Sequence, residues 1–322
     1  MKYILTYQNF NESKGISNSC EEVLNEIWID IESNVSSMIS NKKVFNIDKD
    51  DFKVKNIIVE YKIEKGNDRF CKAASNLKTS YLKNGHLNDV SISLNIKITD
   101  EIDDEFIYYI KSVLFHELLH IFQHYNILLN KKFRPESFSI GSILPELRKL
   151  VKTKYAEYIL DILYYSLSHE ISAQLHQYYL YKTNHKNYDK LNDIKKLLSS
   201  FMIKNDLNEE ESEELNLIKQ HILGSIKFYT TNKEYKKNIS KSLWNENDNN
   251  IFLNKLFDLV KVRIKWIDKK LKLIDSKFNK PITYHETISL PSNWDDHDLN
   301  DRWEYYNFIK ENLNDCKIID GI

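Results

Sequence analysis

The segment of this chain best suited to chemistry is His116-Glu117-Leu118-Leu119-His120. On an α-helix, residues four apart lie on one face, one turn apart, so His116 and His120 can reach the same ion. Zinc accepts two imidazoles placed this way. The Glu117 carboxylate then stands beside the water that the ion activates, where it can serve as general base. The implied chemistry is metal-assisted hydrolysis, provided that a third protein ligand follows. The plain alternative is two histidines and a glutamate on a partly wet helix.

The surrounding residues predict that helix. No Gly or Pro interrupts the chain from Asp100 to Gln123. Acidic residues crowd the first turn, where the helix dipole favours them, and Thr99 or Asp100 is placed to cap it. Ile102, Phe106, Ile110, Val113 and Leu114 recur at the three- and four-residue spacing of an amphipathic helix.

Downstream candidates for the third ligand are few. His124 continues the series, but it lies two turns from His116, about 12 Å along a straight axis, too far to share one ion. His124 is therefore expected at the surface or behind the ligands. A metzincin pattern would need a histidine at position 126 and a glycine at 123, where Asn126 and Gln123 stand. Glu170 is the better candidate. It falls in a segment read as one continuous helix, with Leu160, Leu163, Leu167, Ile171 and Leu175 as its apolar stripe. Ser166 and Ala173, four before and three after Glu170, are small, which leaves room for a neighbouring helix and a metal. His169 competes, but adjacent helical residues point about 100° apart, so only one of the two can face the ion. His176 is a further alternative.

His116, His120 and Glu170 together resemble the gluzincin branch of the zincin metallopeptidases. That resemblance implies a zinc held by the three residues, Glu117 as general base, and a protein or peptide substrate. It covers two helical segments, about a third of the chain. It also departs from the family pattern: an Asp that orients a ligand histidine would stand four residues after the ligand Glu, and here that position is Gln174. The group that fixes the histidine tautomers is left open. The oxyanion donor is open too, among Tyr165, Tyr178, His176 and His221.

Composition bounds the rest. At 322 residues the chain can bury a full core in one large domain or two smaller ones. With Gly 6 and Pro 4, turns are scarce and long helices are expected. The 46 basic and 47 acidic residues balance to −1, which argues against a nucleic-acid footprint. Cys20, Cys71 and Cys316 are scattered, odd in number and not at metal-like spacing, so a reducing, cytoplasmic setting is expected. No run of eighteen apolar residues predicts a membrane span. The opening, Met1 to Glu12, is too short and polar for a signal peptide. It resembles the N-terminal segments of many phage-encoded proteins, although an ordinary first strand or docking peptide is the favoured reading.

The expected fold is α+β and mainly helical: a zincin-like core with a small sheet beside the motif helix, then a helical C-terminal region. Residues 1–185 would form the catalytic region and 186–322 the helical one. Residues 18–41 read as a helix lined by Val23, Ile27, Ile31 and Val35. Residues 56–63 and 89–98 read as strands, the second with apolar residues at even positions. That second strand is either a sheet edge on which an extended substrate pairs, as the resemblance implies, or an internal strand paired on both sides. Leu207 to Tyr229 and residues 249–278 read as helices, the latter with Ile251, Leu256, Val260, Ile264, Leu271 and Ile274 inward and a lysine-rich outer face. The tail around Trp294 and Trp303 is expected to pack back on the body. A zinc metallopeptidase is the leading function. A catalytically silent zincin-fold interaction protein and a metal-dependent hydrolase of non-peptide substrates are the alternatives. Oligomeric state is not readable.

Overall fold

Alternation of apolar and polar residues builds the sheet. In Val90–Ile98 every even residue is buried and the odd ones face outward to varying degrees, which is what a strand with one covered face requires. The computed structural model describes residues 14–49, 52–77, 80–99, 103–129, 136–183, 190–229, 243–277 and 316–318. These form an α+β, mainly helical protein with a small mixed sheet. The expectations for residues 1–12 and for Trp294 and Trp303 fall outside the described residues. Among the described residues, no helix is long and apolar enough to cross a membrane.

The chain divides into two units that interleave along the sequence. The first begins with helix α1 (Lys14–Ser36), whose Val23, Ile27, Ile31 and Val35 are fully buried. It starts before and ends earlier than the spacing predicts, because the chain turns at Met38 with φ of 56°. Six strands follow: β1 (Asn41–Asp48), β2 (Lys53–Lys65), β3 (Phe70–Asn76), β4 (Tyr81–Lys83), β5 (His86–Asn88) and β6 (Val90–Ile98). Their order is β3-β6-β2-β5-β4, with β1 also paired to β2. Strand β6 runs parallel to β2 on one side and antiparallel to β3 on the other. It is therefore internal, the second of the two readings the sequence allowed, and it offers no free edge. Among the described residues, the edge beside it is β3.

Two backbone features shape the sheet. Asn84 and Gly85 both have positive φ, 53° and 77°, and Lys83 pairs with His86, so β4 and β5 form a two-residue hairpin of the type that Asn-Gly favours. Asp89, also at positive φ, separates β5 from β6.

Helix α2 (Asp104–Leu129) carries the motif and packs on α1, β3 and β6. Asp103, not Thr99 or Asp100, caps it: the Phe106 N–H donates to Asp103 Oδ1 at 2.8 Å. Phe122, fully buried on α2, stacks on Phe52.

The second unit is helical. It contains α3 (Glu136–Gly141), α4 (Leu144–Leu150), α5 (Lys154–Ser166), the start of α6 (Ser168–Thr183), α7 (Lys190–Ser199), α8 (Glu209–Tyr229) and α9 (Asn249–Lys277). Short strands β7 (Met202–Lys204) and β8 (Cys316–Ile318) pair antiparallel. Tyr158, Phe201 and Phe257 meet in its core. Glu214 of α8 accepts the N–H groups of Lys152 and Thr153, fixing the chain where α5 begins. Leu256, Val260 and Ile264 of α9 are fully buried, whereas Ile251 is 47% exposed and does not point inward as expected.

The segment expected as one helix from residue 160 to 176 is two. Leu167 is extended, with ψ of 130°, and separates α5 from α6. The carbonyl of Ser166 leaves the helical ladder and accepts from Arg263 Nε at 3.0 Å. Glu170 consequently sits in the first turn of α6, where the positive end of the helix dipole favours a carboxylate.

Candidate metal centre

Helix geometry places His116 and His120 together, as their spacing requires. Both are buried on α2, and their Nε2 atoms face each other at 3.1 Å with the rings nearly perpendicular. Two nitrogens bound to one zinc at 2.0–2.1 Å in a tetrahedron lie roughly 3.3 Å apart. The donor atoms of this pair therefore fit a shared ion. Behind them, His120 Nδ1 is 3.2 Å from Gln123 Oε1, a contact inside the protein that the motif spacing did not single out.

Glu117 lies between the two histidines in sequence and on another face of α2. It is half-buried, and its Oε2 accepts the backbone N–H of Ser75 at 2.8 Å. The carboxylate is thus tied to edge strand β3 and remains reachable. Cys71, on the same strand, is buried, and this burial together with the Glu117 carboxylate pushes its thiol pKa up. A thiol pKa raised in this way makes Cys71 a poor nucleophile.

His124 is buried, with Nε2 2.8 Å from Ser80 Oγ, so it is not a surface residue. On α6, Gln177 belongs to the first unit and donates from Nε2 to Ser112 Oγ on α2 at 2.9 Å. Nearby, the Tyr108 hydroxyl donates to the Leu180 carbonyl.

In the second unit, Glu170 is buried and its Oε1 lies 3.3 Å from His169 Nε2. The His169 ring packs over Gly141, where an added Cβ would meet it at 3.1 Å. Glycine at 141 is what lets α3 come this close. Of the oxyanion candidates, Tyr165 and Tyr178 are buried, His176 is partly covered, and His221 is exposed on α8.

Comparison of the chain with family models, with curated proteins and with solved structures finds no match in any of the three.

Proposed function

We propose that this chain is a zinc-dependent metallopeptidase of the zincin type, with His116, His120 and Glu170 as ligands and Glu117 as general base. One observation carries the reading: the ligand atoms of these three buried residues all lie within 4.8 Å of one another. Helix geometry supports it independently. Tyr108 meets Leu180 and Ser112 meets Gln177, so α2 and the later turns of α6 run in opposite directions. His116 and His120 follow Ser112 by one and two turns on one face of α2, and Glu170 precedes Gln177 by two turns on one face of α6. Each helix thus carries its candidate ligands on the face that bears Ser112 or Gln177.

The donor set, two imidazoles and a carboxylate, is one that a catalytic zinc uses. Bound there, zinc would polarise a scissile carbonyl and acidify a water. The chain's own residues do the rest. Glu117, held by Ser75, takes a proton from the attacking water and returns it to the leaving amine. Strand β3, paired to β6 on one side, offers its other edge to an extended peptide, and Ser75 on that edge lies beside the base.

The test is metal content together with peptide-library cleavage. The wild-type chain should hold one zinc, and His116→Ala or His120→Ala should lose it. Glu117→Gln should keep zinc and fold but cleave more slowly by a factor of about 10²–10⁴. Zinc retained in both histidine variants, or full activity in Glu117→Gln, rejects the proposal.

A further inference from the structure

We infer that Gln123 is the positioning residue that makes His120 a metal ligand, by holding the proton on His120 Nδ1. This rests on the metal-site reading above. A neutral imidazole carries its proton on one nitrogen and offers a lone pair at the other. His120 turns Nε2 toward His116 Nε2 at 3.1 Å and Nδ1 toward Gln123 Oε1 at 3.2 Å. The amide oxygen can only accept, so Nδ1 carries the hydrogen and Nε2 is left with its lone pair facing the site.

Two features make this specific. The resemblance would draw an orienting carboxylate from the ligand helix, and Gln174 stands at that position. Here the orienting group comes from α2 itself, three residues after His120 and therefore on the same face. The ring is set before any other element contributes. Gln123 is also buried, where a neutral amide avoids the desolvation cost of a second carboxylate. In the metal-free chain the consequence extends one residue further. His120 Nε2 accepts, so His116 carries its proton on Nε2 and donates to His120. Metal binding must then move the His116 proton, while His120 is already in its ligand tautomer.

The experiment uses the full chain, zinc alone as probe, and histidine nitrogen NMR at about pH 8, above the imidazole range. Metal-free wild type should show His120 protonated at Nδ1 and His116 at Nε2. Gln123→Leu should lose the fixed His120 tautomer and bind zinc about 10–100-fold more weakly in chelator competition. Gln123→Glu, which keeps an accepting oxygen, should retain the tautomer and bind zinc within a few-fold of wild type. A Gln123→Leu chain with wild-type affinity and an unchanged tautomer overturns the inference. A wild-type His120 protonated at Nε2 overturns it even where the leucine variant fails to fold. If wild type binds no zinc, the metal reading falls by itself, and the tautomer comparison still decides what Gln123 does.

Discussion

A general base must be free enough to reach its water and fixed enough to meet it in line, and Glu117 is balanced between the two. One carboxylate oxygen is occupied by the Ser75 N–H and the other is not committed to that bond. The donor is a backbone group of an edge strand, so its position is as rigid as the sheet. Proline at 75 would delete this donor alone, since Ser75 gives its N–H to Glu117 and not to β6, and edge strands tolerate proline where the N–H faces away from the ladder. Ser75→Pro should keep the fold and the zinc while cleaving peptides more slowly by roughly tenfold, the worth of about 1.5 kcal/mol in a hydrogen bond to a charged group. Unchanged cleavage in a folded, zinc-loaded variant would show that Ser75 does not position the base.

The helix that presents the motif depends on how it is started. Asp103 caps α2, and the Arg69 guanidinium beside it, followed by the Phe106 N–H, holds its carboxyl below the usual aspartate range. A depressed carboxyl pKa contributes stability that is present above the unfolded value, near 4, and is lost as pH falls through the lower folded value. Asp103→Ala should therefore cost about 1 kcal/mol at neutral pH, with the gap to wild type narrowing in acid. Urea unfolding at the two pH values measures this, and a gap that widens in acid contradicts it. An element as local as α2 was legible in the sequence, because short-range spacing makes it, but its cap lies at Asp103 and not at the expected Thr99 or Asp100. Strand β6 was legible too, since its alternation survives its burial between two partners. Strand β3 was not, since Phe70-Cys71-Lys72-Ala73-Ala74-Ser75-Asn76 has no clean alternation and is a strand because β6 lies beside it. The break at Leu167 was equally hidden. No Gly or Pro marks it, and the Arg263 side chain that takes the freed carbonyl is 97 residues away. The Asn84-Gly85 pair carries a turn signal, but the strands expected from the sequence, residues 56–63 and 89–98, do not include this hairpin. Gln123 was in plain view as a residue, but its role needs the His120 ring orientation, which spacing does not supply.

At the scale of the whole molecule, one helix joins the parts. The chain passes from the second unit to the first within α6, between Leu175 and His176, with Glu170 before the crossing and Gln177 after it. If Glu170 ligates zinc together with His116 and His120, metal binding must stabilise the folded chain. Linkage gives the size: a ligand at a thousand times its Kd adds about 4 kcal/mol, less whatever affinity zinc has for the unfolded histidines and cysteines. Calorimetry should show a zinc-dependent rise in Tm that a chelator reverses. Glu170→Gln removes the charge and most of the ligand strength while keeping the shape, so it should abolish most of that rise and weaken zinc binding more than Gln123→Leu does. His120→Ala should do the same, since loss of either ligand opens the set. A full zinc-dependent rise retained in Glu170→Gln but lost in His120→Ala would remove Glu170 as the third ligand and direct the search to His169 and His176, leaving the histidine pair of α2 in place.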